Sequence, residues 1–193
     1  MNHTPQIKKA IQFAAKKHNG QMRREAEPLP YITHFFSVAL LVAEDSDGQS
    51  GADDDVVTAA LLHDTIEDTG TMREEIAAVF NERVATLVES VSELKEIDGK
   101  KLGWRERKED YLRRLEEAND DAVLIAVADK IDNIESKIEA YAKEGESLLA
   151  RWRQPSADYA WYHGEALRIA QKRLPEHRLT KRLAEVHARE KAG

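Results

Sequence analysis

Two histidines and two aspartates on three separate stretches, His34, His63 with Asp64, and Asp129, are residue types that together can hold a transition-metal ion. The strongest of the three stretches is VVTAALLHDTIEDTG, an apolar run that closes on His63, Asp64, Glu67 and Asp68 before Gly70, a residue suited to stopping a helix. Read as one helix, its acids sit at the end where the macrodipole opposes them, and Asp64, Glu67 and Asp68 at i, i+3 and i+4 repel one another on one face. A divalent cation compensates directly. His63 and Asp64 then supply ligands, while Glu67 or Asp68, one turn on, is placed to take a proton from water. The same acids on a solvated helix end would need no ion.

A second stretch, AVLIAVADKIDNIESKI, runs nearly all apolar into Asp129, with Asn133 one helical turn later on the same face. A carboxylate there is expected to be buried, and a buried unpaired charge is costly, so Asp129 calls for a cation: a metal, or a neighbouring Lys or Arg. His34, in PYITHFFSVALLVA, stands at the front of an apolar helix, where an imidazole is either a ligand or a core histidine with its hydrogen bonds met internally. Taken together the four form a mixed nitrogen and oxygen set suited to Mn, Fe or Zn, with positions left for water and a phosphate oxygen.

Helices must position these groups. Apolar residues recur at helical spacing almost throughout, alternating β-branched runs are missing, and the 9 glycines and 5 prolines fall between the periodic segments. The chain therefore reads as all-α, with helices over about 4–18, 33–46, 54–66, 71–80, 81–95, 104–118 and 121–143, and two more after Pro155. Turn-forming residues mark NGQMRREAEPLPY and EDSDGQSGADDD as loops. The amphipathic patterns YAWYHGEALRIAQ and LTKRLAEVHARE read as packing helices. At 193 residues one domain is expected. Zero cysteines exclude disulfides, thiolate chemistry and cysteine zinc sites, and fit a reducing compartment, the cytoplasm by default. No apolar run approaches the roughly 20 residues of a membrane span, and no signal-peptide core opens the chain. A net charge of −7 argues against broad nucleic-acid or anionic-membrane binding but leaves room for a local basic pocket.

The order of these motifs, a histidine, then His-Asp, then Glu-Asp, then a distant Asp-x-x-x-Asn, resembles the HD phosphohydrolases. Closer still is the resemblance to the hydrolase domain of RelA/SpoT-type enzymes and to the stand-alone small alarmone hydrolases. It runs from about Phe13 to Ser136 through FAAKKHNGQMRR, PYITH, AALLHDTIEDT and ADKIDN. The resemblance implies a single HD-type helical bundle, with packing helices over about 155–192, and a Mn-dependent 3′-pyrophosphohydrolase of guanosine tetra- and pentaphosphate. It implies metal ligands at His34, His63, Asp64 and Asp129 and water-activating acids at Glu67 and Asp68. Substrate contacts are implied at Arg23, Arg24, Lys130, Asn133 and Ser136, and near the phosphates at Arg105, Arg107 and Lys108. Three residues depart from the family pattern: Phe35 replaces a proline, Asp132 an aromatic or histidine, and Glu135 a basic residue. The same metal core serves deoxynucleoside 5′-monophosphatases and NADPH 2′-phosphatases, which are the alternative activities.

Overall fold

The helical periodicity is realised in a computed structural model that describes residues 4–23, 28–44, 53–151 and 155–192. Among the described residues the α-helices are α1 (Pro5–Lys17), α2 (Ile32–Glu44), α3 (Asp54–Leu62), α4 (Thr65–Thr69), α5 (Arg73–Val79), α6 (Glu82–Ser90), α7 (Trp104–Glu117), α8 (Asp120–Glu144), α9 (Ser156–Arg173) and α10 (Arg178–Ala192). A short 3₁₀ segment (Gly145–Arg151) follows α8. The loop expected in EDSDGQSGADDD lies mostly outside the described residues, as does Arg24.

Helix α3 is the hub, because every residue from Val56 to Leu62 is buried; it is covered by α1, α2 and α6 on different sides. Helix α8 packs against α2 and receives α9 and α10 on its other flank. Its N-terminus is fixed by Asn119, whose side chain accepts from the Ala122 N–H at 2.9 Å, with Asp120 and Asp121 favourably placed in the first turn. At 25 residues α8 is about 37 Å long, enough to carry Asp129, Asp132 and Asn133 to the middle of the bundle. No helix among the described residues is long and apolar enough to cross a membrane.

Two expected helices are shorter than their periodicity suggests. The pattern over 54–66 breaks after Leu62: His63 and Asp64 form a turn, and Asp64 starts α4. Glu67 and Asp68 therefore lie in the first turn of a new helix, where the macrodipole favours carboxylates, and the opposition inferred from a single continuous helix does not arise. Gly70 closes α4 at φ +68°, the left-handed conformation that ends a helix and that glycine adopts without strain. The pattern over 81–95 ends at Ser90, and the chain then makes a small antiparallel hairpin, β1 (Glu96–Ile97) and β2 (Lys100–Lys101). Asp98 and Gly99 both have positive φ, 49° and 77°, which is the Asp-Gly form of a tight hairpin turn.

Candidate metal centre and active site

Helices α2, α3 and α8 bring His34, His63 and Asp129 to one buried point, where one ligand atom from each lies within 4.8 Å of the others. The two imidazole Nε2 atoms are 3.1 Å apart, and Asp129 Oδ1 is 3.1 Å from His34 Nε2 and 3.7 Å from His63 Nε2. Asp64 lies beside these three: its Oδ1 is 3.4 Å from His63 Nε2 and its Oδ2 is 3.9 Å from His34 Nε2. The opposite ring nitrogens settle the tautomers. His63 Nδ1 faces the Ala60 carbonyl at 2.9 Å and His34 Nδ1 faces the Asp132 carboxylate at 2.6 Å, both acceptors, so both Nδ1 atoms carry protons. In the neutral rings both Nε2 lone pairs then point at each other and at carboxylate oxygens. Such an arrangement is repulsive until a cation enters it, and the donor set fits a divalent metal.

The electrostatics state the same demand. Burial disfavours a charged His34, yet Asp129, Asp132 and Asp64 outweigh it and raise the group to about 9. His63 is also raised despite burial, by Asp64 and Asp129. Asp129 is held well below the carboxylate range despite its burial, by the Lys130 ammonium and the two histidines. Lys130 pairs with Asp129 Oδ2, and Asn133 Nδ2 donates to Oδ1 at 2.5 Å.

Several contacts at the centre were not visible in the sequence. The Tyr31 hydroxyl donates to Asp64 Oδ2 at 2.7 Å, fixing a carboxylate that would otherwise rotate. Phe35, the departure from proline, is fully buried and packs edge-on to His63 with ring centroids 5.5 Å apart, forming the floor of the cluster. The charge of Glu135 is taken up by Arg182 of α10, which makes three hydrogen bonds of 2.8 to 3.1 Å to it. Asp132 is held by His34 and by Arg23 Nη1 at 2.9 Å.

Glu67 lies one turn beyond the His63-Asp64 pair. Its Oε2 accepts from the Glu93 backbone N–H at 3.1 Å, and burial, then Asp64 and Asp68, raises it to about 7. Asp68 is less enclosed and pairs with Lys95 at 3.2 Å. A cavity of about 210 Å³ joins Asp64, Glu67, Asp68 and Asp129 to Lys108 and Lys130. Burial and then the neighbouring Lys130 lower Lys108 to about 8, although Glu93 pairs with it. Tyr159, Tyr162 and His163 of α9 form part of the wall, so this C-terminal helix does more than pack. A second cavity of about 450 Å³ shares Tyr31, Asp68, Asn133 and Tyr159 with the first and adds Arg23, Ser136 and Lys137. Arg105 lines neither cavity: its guanidinium stacks on Trp161, 3.2 Å from the ring centroid, and pairs with Glu109. Arg107 also stays outside both, 3.6 Å from Glu93.

The family model described as "HD domain" matches residues 10–153, a span holding all four clustered residues and Glu67. The chain belongs to the HD-domain family. HD-domain relatives named guanosine-3′,5′-bis(diphosphate) 3′-pyrophosphohydrolase include one from Aquifex aeolicus, 38% identical over 157 residues. That alignment covers 77% of this chain but 21% of the relative, so this chain spans about a fifth of that protein. Two relatives of that name with the suffix MESH1 align over more of their length. The Danio rerio protein is 35% identical over 68% of each chain, and the Homo sapiens protein is 38% identical over 67% of this chain and 68% of its own. Among solved structures, one titled as a metazoan ortholog of SpoT that hydrolyses ppGpp superposes with a TM-score of 0.78 at 24% identity. The match covers 98% of this chain and 97% of the other, which extends the shared HD fold through α9 and α10. A Listeria monocytogenes protein, lmo0812, matches with a TM-score of 0.68 at 28% identity, over 80% of this chain and 96% of its own.

Proposed function

We propose that this HD-domain protein is a metal-dependent phosphohydrolase that removes pyrophosphate from the 3′ position of guanosine tetra- and pentaphosphate in the cytoplasm, with Mn²⁺ as its metal. The observation that carries the reading is the convergence of His34 Nε2, His63 Nε2 and Asp129 Oδ1, with Asp129 and the half-buried Glu67 lining the smaller of two joined cavities. The activity named for relatives that align over two thirds of their own length supports the substrate.

His34, His63, Asp64 and Asp129 would hold the ion, which supplies Lewis acidity and activation of water when bound. Glu67, raised to about 7, accepts a proton from the attacking water, a value matched to catalysis near neutral pH. Water oxygen bonds to the phosphorus on the ribose O3′, the P–O3′ bond breaks, and O3′ takes up a proton as pyrophosphate leaves. Lys130 and Lys108 offset the diphosphate charge in the smaller cavity, and positioning with electrostatics is most of what phosphoryl transfer needs from a protein. Arg23, Asn133 and Ser136 face the larger cavity, where the nucleoside is accommodated. The deciding experiment is a Mn-supplemented panel of guanosine tetraphosphate, deoxynucleoside monophosphates and NADPH with product identification. GDP and pyrophosphate from the first substrate are expected to dominate. Turnover of either rival at least about tenfold faster, a preference of roughly 1.4 kcal/mol in the transition state, moves the assignment to that rival.

A further inference from the structure

Asp132 is one of the residues by which this chain departs from the pattern its sequence otherwise resembles, and its carboxylate stands between the metal centre and the nucleotide cavity. It lies on α8 three residues after Asp129, on the same helix face, so one helix presents two carboxylates to one imidazole. Asp129 Oδ1 meets His34 at Nε2, 3.1 Å away, and Asp132 Oδ2 meets it at Nδ1, 2.6 Å away. The same Asp132 Oδ2 accepts from Arg23 Nη1 at 2.9 Å, and Arg23 lines the larger cavity. The side chains of all three are largely sequestered, with 1%, 10% and 11% of their surface exposed for His34, Asp132 and Arg23. Ser37, one turn along α2 from His34, bonds the carboxylate as well.

We propose that Asp132 is a positioning residue with two contacts to hold: it fixes His34 in the tautomer and orientation that direct Nε2 to the metal, and it fixes Arg23 at the edge of the nucleotide cavity. The physical reason is geometric. An imidazole buried among acceptors has two tautomers and two ring flips, and only an acceptor fixed at Nδ1 selects the one whose lone pair faces the cluster. A carboxylate does this more strongly than a neutral acceptor because the hydrogen bond is charge-assisted and makes the ring a better donor to a cation. Arg23 balances the single charge of Asp132, so the bridge brings His34 and Arg23 into place together without adding an unpaired carboxylate to the site. The argument rests on the metal-centre part of the proposed function and is independent of which nucleotide is cleaved.

The test is a Co²⁺ titration of nucleotide-free protein, followed by visible absorbance and calorimetry, for wild type, Asp132→Asn, Asp132→Ala and Arg23→Ala. Asp132→Ala is expected to weaken Co²⁺ binding about 10- to 100-fold, and Asp132→Asn, which keeps an acceptor oxygen but no charge, by less. Arg23→Ala leaves the carboxylate on His34 and is expected to change Co²⁺ affinity less than about threefold. GDP affinity, measured without metal, should fall in both Arg23→Ala and Asp132→Ala, with the double variant no worse than Arg23→Ala alone, because both act through one contact. Histidine ¹⁵N spectra of the metal-free proteins, taken at a pH high enough to make the ring neutral, should show His34 protonated at Nδ1 in wild type and an averaged tautomer in Asp132→Ala, a change that general loosening of the fold does not produce. Co²⁺ affinity of Asp132→Ala and Asp132→Asn within about twofold of wild type, or additive losses in GDP binding, overturns the inference while leaving the metal centre standing. Failure of the wild type to bind Co²⁺ at all overturns both.

Discussion

The Nε2 atoms of His34 and His63 face each other at 3.1 Å although each ring has already given its Nδ1 proton to another acceptor. With both rings neutral, two lone pairs at that distance, with Asp129 Oδ1 beside them, form a pre-arranged cation site in which a divalent ion replaces the proton His34 otherwise holds. The protein is therefore expected to bind about one divalent ion per chain, and His63→Ala or Asp129→Ala should lose it. Metal analysis after Mn loading checks this, and equal metal content in wild type and both variants would falsify it.

Without metal, the same cluster makes stability depend on pH. His34 is raised from 6.5 to about 9 and His63 is raised as well, so their contribution is fully present below pH 6.5 and is lost as pH rises, that of His34 through about 9. Glu67, raised from 4.5 to about 7, acts in the same sense as pH rises towards neutrality. His18 and His163, shifted down, oppose the trend until the unfolded chain has lost their protons about a unit above pH 6.5, and Lys108, lowered to about 8, opposes it as pH approaches that value. Over the window from pH 6.5 to 8 the raised groups outweigh these, because His34 keeps its proton in the folded protein through most of it. Thermal unfolding in chelator should show the melting temperature falling across it, and a bound divalent ion should flatten the fall. A melting temperature that rises from pH 6.5 to 8 in chelator contradicts the account.

The Glu135 and Arg182 pair joins α8 to α10 next to Ser136, which lines the larger cavity, the proposed nucleotide site. Both side chains are partly exposed, 28% and 39%, so the pair itself adds little stability. Its effect is on charge. Arg182→Ala leaves a bare carboxylate close to a polyanion site, and a unit charge at about 8 Å in water is worth roughly 0.5 kcal/mol per substrate charge before screening. KM for a guanosine polyphosphate should rise about two- to fivefold with kcat unchanged, and Glu135→Gln in the same protein should restore it. A fall in kcat with unchanged KM points to a packing role for α10 instead.

Much of the site was legible because its chemistry is carried by residue types that are costly in their positions. Asp129 ends an apolar run, and His63-Asp64 follow another, so both announce a need for compensation before any fold is known. The break between α3 and α4 was hidden because Thr65 and Ile66 continue the apolar spacing through the turn, and periodicity does not register two residues leaving the helix. Hairpin strands of two residues are too short to show alternation, leaving Asp98-Gly99 as the one local sign of β1 and β2. Partners far apart in sequence were out of reach altogether. Tyr31 with Asp64, Arg23 with Asp132 and Arg182 with Glu135 are separated by 33, 109 and 47 residues, and only the packing of α8 against α2 and α10 brings the latter two pairs together. The same holds for Tyr159 and Tyr162, whose pattern reads as a packing face until α9 is seen to wall the smaller cavity.

Glu67 separates chemistry from binding most cleanly. Its carboxylate is oriented by the Glu93 N–H, lies in the first turn of α4, and falls outside the atoms that converge at His34, His63 and Asp129. Glu67→Gln keeps the side chain's size and its acceptor oxygen for Glu93 while removing the basic site. Single-turnover rates on guanosine tetraphosphate should fall about 10² to 10⁴-fold, the usual scale of general base catalysis, with metal content and nucleotide affinity nearly unchanged. The pH profile gives an independent check. A base raised to about 7 makes the wild-type rate climb with pH as its carboxyl ionises, and a bound cation, favouring the carboxylate, should move that limb to lower pH. In Glu67→Gln the limb should disappear. Should the variant keep near wild-type single-turnover rates, the proton goes to Asp68 or another group; should it lose the metal, Glu67 is a ligand and the division of labour drawn here is wrong.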